Sequence, residues 1–254
     1  MTQAHNPPIN LTDVWQTHKA SVLAPRDDGK SLHASDIHSC DYALYQRLRG
    51  APQLPLDDGS FANFERGHAV EARIAETLDA YVRNHHPGHT ITHGEQVTHE
   101  GIVGHLDFVL RDEKNVPVAV IDVTTTASKL TDWKYGHAIK SAFYAVALGC
   151  EAFCEWVFCF GFGGIVTAQQ AHWFSISDQS PTTGASWRDL VYASISMKRT
   201  LLHTTVAPKA EPPLDPFEGP ENWRCGKPGS GKSYCQCKCP RNAAWNPTND
   251  EVSL

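Results

Sequence analysis

Residues 116–126, VPVAVIDVTTT, leave little choice of structure. Nearly every position is β-branched, which suits a pleated strand and crowds a helix. So unbroken a run predicts a strand in the middle of a sheet, covered on both faces. A central strand needs neighbours, and the chain offers them. GEQVTHEG (94–101) and GHLDFVLRD (104–112) precede it, and CEWVFCFGF (154–162) and GIVTAQQAHWFSIS (164–177) follow it. Helical patterns separate these runs. SDIHSCDYALYQRLRG starts at Ser35 as a plausible N-cap, with Leu44 and Leu48 at i, i+4. FERGHAVEARIAETLDAYV sets Val70, Ile74, Leu78 and Tyr81 in one apolar stripe. TDWKYGHAIKSAFYAVALG (131–149) and SWRDLVYASISMKRTLL (186–202) are two more helices. The order predicts an α/β (α+β) chain, a mixed central sheet flanked by helices.

With 254 residues and 41% hydrophobic content, the chain can bury a substantial core. Residues 1–34 read as a loosely ordered arm and 35–203 as the core. Residues 204–222, which include APKAEPPLDPFEGP, read as a proline-rich linker, and 223–254 as a basic, cysteine-rich segment. No run approaches the length and apolarity of a membrane span, and the first residues lack the basic-then-apolar pattern of a signal peptide. A cytoplasmic location with no membrane partner is the expectation. In a reducing compartment clustered cysteines point to metal ligation before disulfides. The net charge of −6 gives no general attraction to nucleic acid. A local patch does: Arg224, Lys227, Lys232, Lys238 and Arg241 lie close together without an acidic residue among them.

That segment contains CGKPGSGKSYCQCKC (225–239), in which GKPGSGKS matches the phosphate-binding pattern G-x-x-x-x-G-K-[ST]. A working phosphate loop needs a buried strand before it and a helix after it. DPFEGPENWRC is not such a strand, and YCQCKCP has room for barely one turn before Pro240, so the match reads as a decoy. Four of the chain's eight cysteines lie here: Cys225, Cys235, Cys237 and Cys239. They can make a four-thiolate zinc site by themselves, although C-x-C-x-C is cramped for tetrahedral zinc. A ligand from elsewhere relieves the crowding, and Cys40, in a polar helical setting, is the candidate. Cys150, Cys154 and Cys159 sit in apolar runs and read as buried, unreactive thiols.

Two carboxylates stand out. Asp107 in GHLDFVL and Asp122 in VIDVTTT interrupt apolar runs on successive strands, where a carboxylate is costly unless it is paired or binds a cation. Either one alone reads as a solvated or capping residue, whereas the pair favours a divalent metal site. Glu71, just off the apolar stripe of its helix, is a possible third oxygen donor; a solvated helix carboxylate is the plain alternative.

In their combined order, GHLDFVL, VPVAVIDVTTT and HAIKSAFYAVAL resemble the PD-(D/E)xK nucleases, in particular the RecB-like branch. That pattern runs G-x-x-D, an apolar strand ending (D/E)-x-K, and a helix with Q-x-x-x-Y. An upstream helical G-x-x-x-(H/E) matches Gly67 to Glu71. One early cysteine and three late ones resemble the iron-sulfur members, the CRISPR-associated exonucleases and AddB-type nucleases. The resemblance implies a restriction-endonuclease-like core whose cysteine-rich segment joins the N- and C-terminal parts through a 4Fe-4S cluster, with Zn2+ as the alternative. It implies cluster ligands Cys40, Cys225, Cys235 and Cys239, with Cys237 interchangeable among the late three. It also implies Mg2+ or Mn2+ held by Glu71, Asp107, Asp122 and the Val123 carbonyl, DNA contact or site support from Tyr144 and His137, and hydrolysis of single-stranded DNA or DNA ends. A helicase or recombination partner fits that family. Two departures qualify the match. Thr124 stands where the motif lysine belongs, and Lys140 stands where the helix glutamine belongs, with Tyr144 at i+4. Residues i and i+4 share a helix face, so Lys140 can deliver the missing charge from the helix. The spacing of the late cysteines also differs from the family's usual C-x2-C-x5-C. The alternative implied by Thr124 is a DNA-end-binding protein of the same fold that does not cut.

Overall fold

The computed structural model describes residue 17, residues 30–54, 58–126, 133–160, 166–180, 183–209 and 211, and residues 214–215 and 219–220. Cys225, Cys235, Cys237, Cys239, the phosphate-loop match and the basic patch all lie outside the described residues.

The main sheet has five strands in the order β2 (Thr90–His93), β5 (Phe108–Arg111), β6 (Pro117–Thr126), β7 (Ala152–Phe160), β8 (Val166–Ser175). The β-branched run is the middle strand, as its composition requires. Its pairing with β5 is antiparallel and with β7 parallel; the outer pairs are antiparallel, so the sheet is mixed. A parallel pair needs a crossover that leaves and re-enters the sheet. Helix α3 (Tyr135–Leu148) lies within the β6–β7 connection and ends at Gly149, whose φ of 70° turns the chain out of the helix. A smaller sheet joins β1 (Leu32–His33), β4 (Ile102–His105) and β3 (Gln96–His99). The remaining elements are α1 (Asp41–Leu48), α2 (Asp58–His85), α4 (Trp187–His203) and the antiparallel pair β9 (Leu214–Asp215) and β10 (Gly219–Pro220).

Side chains alternate across a strand, so β6 feeds two cores. Val120 joins Val109, Phe153, Ile139, Phe143 and Trp187 on the side of α3 and α4. Ile121 and Val123 join Phe108, Cys154 and Phe158 on the side of α2, where Val70, Ile74 and Leu78 pack. Asp122 and Thr124 share the parity of Val120 and so belong to the α3 side. The sheet is thus flanked by helices on both faces. Among the described residues no helix is long and apolar enough to cross a membrane.

Three expectations need correction, and one strand was not anticipated. The first helix does not begin at Ser35. A 3-10 turn occupies Ala34–Asp36, and α1 starts at Asp41 with Cys40 as its N-cap. The Asp36 carboxylate accepts from His33 N at 2.7 Å, and Ser39 Oγ donates to the Asp36 carbonyl at 2.8 Å; these local bonds compete with helix formation. Tyr81 is exposed, and Val82 is the buried residue at that end of α2, because a stripe on a long helix drifts around its axis. GHLDFVLRD is two strands in two sheets, broken at Leu106 and Asp107. Strand β2 carries a single apolar residue, Ile91, in a polar stretch, too little to mark a strand; its pairing with β5 supplies its order.

Candidate active site

The break between β4 and β5 decides where Asp107 goes. Phe108 lies opposite Ile121 in the antiparallel register, so Asp107, one step earlier, comes level with Asp122. Its Oδ2 accepts from the Val123 backbone N–H at 2.7 Å, a bond that fixes the carboxyl against β6. Asp122 is 0% exposed. Lys140, on α3, places Nζ 2.8 Å from Asp122 Oδ2 and keeps a quarter of its side chain in solvent. The ammonium stands at hydrogen-bonding distance, although neither Asp122 oxygen receives a well-aligned hydrogen bond among the described residues.

A fourth group was missed in the sequence. Glu155 on β7 is the parallel-register partner of Asp122 and is likewise fully buried. Its signal was present, since an acid inside the apolar run AFCEWVFCF is as anomalous as Asp122 in its own run. Asp107, just before β5, Asp122 on β6 and Glu155 on β7 thus form a row of acids on the face that carries α3.

The electrostatics follow from that crowding. Burial, then the charge of Asp122, push the Asp107 carboxyl up to about 8, against the pull of Lys140 and the Val123 bond. Burial also lifts Glu155 to about 8, with Asp122 adding to it and the Lys134 N–H bond opposing. Glu71 rises chiefly from partial burial; His68 and Lys140 lower it and Asp122 raises it, so it feels the same centre from α2. Burial works against the Lys140 ammonium, yet Asp122, Tyr144 and Asp107 outweigh it and hold the group above its ordinary range. Shifts of this size from burial and specific charge partners mark candidate functional sites.

Thr124, the position of the motif lysine, sits 3.2 Å from His137 Nδ1 through its hydroxyl. His137, Lys140 and Tyr144 follow at i, i+3 and i+7, one face of α3. Tyr144 is 3% exposed, and burial raises its hydroxyl to about 12 while Lys140 and a bond to the His105 backbone oppose. It is built into the floor of the site, with Lys140 Nζ 5.9 Å from its ring centre. Gly104, the glycine of G-x-x-D, makes room for it: a Cβ there would lie 2.4 Å from Tyr144 Cε1 and 3.0 Å from Ala34 Cβ. Gly104→Ala is therefore expected to cost about 1–3 kcal/mol, the range for overpacking a filled core. Gly67→Ala meets only Thr125 Oγ1 at 3.7 Å and is expected to leave stability unchanged or raised. Denaturant midpoints of the two variants test this contrast.

Among the described residues no three His, Cys, Asp or Glu side chains gather closely enough to form a ready cage for a metal ion. The two aspartates are brought together, with Glu71 outside their immediate contact. Cys40 lies away from this site, beside a hollow of about 410 Å3 lined also by His38, Asp41, Tyr135 and Lys198. The buried Lys198 ammonium, 2% exposed, holds the Ser39 carbonyl at 2.7 Å and the Asp41 carboxylate, fixing the turn that presents Cys40. Cys150, Cys154 and Cys159 are buried as their apolar setting implies, and burial pushes the Cys150 and Cys154 thiols up to about 11 and about 12.

No family model and no curated protein matches the sequence. Solved structures are similar in fold. The crystal structure of SSO0001 aligns over 92% of this chain and 98% of its own length with a TM-score of 0.52 at 12% identity, a likeness of fold alone. An alkaline exonuclease, LHK-Exo from Laribacter hongkongensis, aligns over 69% of this chain and 91% of its own at a TM-score of 0.44 and 13% identity. A phage related exonuclease from Haemophilus somnus 129PT aligns over 68% and 93% at 0.44 and 10% identity. At scores this low the two exonucleases carry no inference about this chain.

Proposed function

We propose that the chain is a metal-dependent deoxyribonuclease acting on single-stranded DNA or DNA ends, in which Lys140 on α3 replaces the motif lysine missing at Thr124. The observation that carries this reading is the 2.8 Å approach of Lys140 Nζ to Asp122 Oδ2. An ammonium in contact with the strand acid is where such a mechanism needs its positive charge.

The donor set fits a hard divalent cation in kind. Its groups are carboxyl oxygens, both Asp122 oxygens lack an aligned hydrogen bond, and the acids facing α3 outnumber the one ammonium. Asp107, Asp122, Glu71 and the Val123 carbonyl would hold Mg2+ or Mn2+, which acidifies a bound water and neutralises charge on phosphate. Lys140 orients the attacking water or offsets charge on the phosphate in the transition state. Asp122, in contact with it, does most to keep that ammonium charged against its burial. His137 and Thr124 line the neighbouring stretch of the same face. The basic segment around Lys232 would track the DNA backbone, giving salt-sensitive binding. A 4Fe-4S cluster on Cys40, Cys225 and two of the later cysteines would join the ends of the chain.

A non-cutting DNA-end-binding protein is the second reading, favoured by the Thr124 hydroxyl standing beside His137 in the lysine's place. Single-stranded oligonucleotide incubated with Mn2+ separates the two. Wild-type protein is expected to shorten it, and Asp122→Asn to lose at least about 100-fold in rate. Binding without any cleavage by the wild type would establish the second reading instead.

A further inference from the structure

Glu155 belongs to none of the roles above, yet it is among the most constrained side chains in the molecule. It is 0% exposed; the Thr124 side chain on β6 also bonds to its carboxyl, while Oε1 by itself has no directed hydrogen bond among the described residues. Its Oε2 accepts from the backbone N–H of Lys134 at 3.1 Å. Lys134 is the N-cap of α3, with extended φ and ψ of −119° and 135°, and its own side chain makes no cap hydrogen bond. The Lys134 carbonyl already takes the N–H groups of His137 at 3.0 Å and Ala138 at 2.9 Å. In a capping box, the acid three residues into a helix reaches back to the N–H of the N-cap residue. Here no acid stands in the first turn of α3, and the acid that reaches the N-cap comes from another strand.

We propose that Glu155 is a positioning residue that fixes the start of α3 against the sheet and so sets Lys140 over Asp122. Glu155 is one strand away from Asp122 in register and simultaneously bonded to the cap of the helix that carries Lys140. It therefore sets the distance between strand acid and helix ammonium from one point. Six residues separate Lys134 from Lys140, about 9 Å of helix rise, and the Lys140 side chain leans back toward the cap. A shift of the helix start along its axis carries the ammonium off Asp122 by the same amount.

This assignment rests on the reading of Lys140 as the reacting ammonium, and its test is built to fail separately from that reading. Glu155→Gln keeps an acceptor for the Lys134 N–H, whereas Glu155→Met keeps the volume and removes the acceptor. With a single-stranded oligonucleotide and Mn2+, Glu155→Met is expected to lose about 100-fold in kcat, as misplacement by about 1 Å does, with the Kd for the oligonucleotide unchanged. Glu155→Gln is expected to recover most of the rate. Hydrogen exchange of amides 135–141 should accelerate in Glu155→Met and not in Glu155→Gln, with β6 and β7 protected in both. Wild-type cleavage by Glu155→Met, or unaltered exchange at 135–141 in that variant, overturns the proposal. If the wild-type protein does not cut, the nuclease reading fails and the exchange measurement still decides the role of Glu155. If Glu155→Met does not fold, Glu155→Gln decides: slow exchange at 135–141 supports the cap, and opening of those amides overturns it.

Discussion

Lys140→Gln abolishes cleavage, and adding Thr124→Lys to it brings part of the activity back. The first half follows from the position of the ammonium. It touches Asp122 from α3 while a quarter of its side chain remains in solvent, open to a phosphate. Removing a charge that acts on the transition state costs about 100- to 1,000-fold in rate with little change in binding. The second half follows from strand parity. Thr124 lies two residues from Asp122, on the same face of β6, so a lysine there projects toward the same centre. The single variant also leaves Asp122 buried without its partner. Breaking such a pair from one side costs about 3–5 kcal/mol when both groups are dry, and less here because Lys140 is partly wet. The double variant should regain part of that stability as well. Single-turnover cleavage of a labelled oligonucleotide with Mn2+, with DNA binding measured in parallel, checks both halves. A Lys140→Gln protein that cuts as fast as wild type sinks the proposed role of the helix lysine.

Cys40→Ser bleaches the protein. On the proposed ligand set, purified wild-type chain is brown and carries iron and sulfide, and loss of one of four thiolates releases the cluster. The thermal midpoint should fall with it, because a metal that ties distant segments together contributes its binding energy to folding. The turn around Cys40 is prepared for such a role. Ser39 and Asp41 on either side are anchored by the buried Lys198, so the thiol is presented from a fixed backbone. Metal and sulfide analysis of wild type and variant reads the result. Full iron and sulfide in Cys40→Ser removes Cys40 from the ligand set, and a colourless wild type with bound zinc keeps the thiolates while changing the metal.

The parts of the fold that were legible are those in which the local pattern and the tertiary environment ask for the same thing. VPVAVIDVTTT is central because a β-branched run has no better use, and α3 and α4 fall close to where their apolar spacing places them. Asp107 and Asp122 were legible because an acid in an apolar run needs a partner wherever it lies. Glu155 gave the same signal in its own run, but a single strand does not say which strand lies next to it. Parallel pairing joins β6 to β7 across a helix, and only that register sets Glu155 beside Asp122 and under the cap of α3. The start of α1 was misread for a related reason. Asp36 binds Arg47 and the His33 N–H, contacts that helix propensity does not contain.

By itself, then, the sequence determined which elements form and which residues are too polar for their surroundings, because both are properties of short windows of chain. The tertiary structure alone decided that GHLDFVLRD breaks between two sheets, that Gly104 is the space Tyr144 fills, and that Lys140 reaches Asp122. Each of these depends on the distance between groups far apart in the chain, and that distance is set by strand register and by the seating of a helix on a sheet.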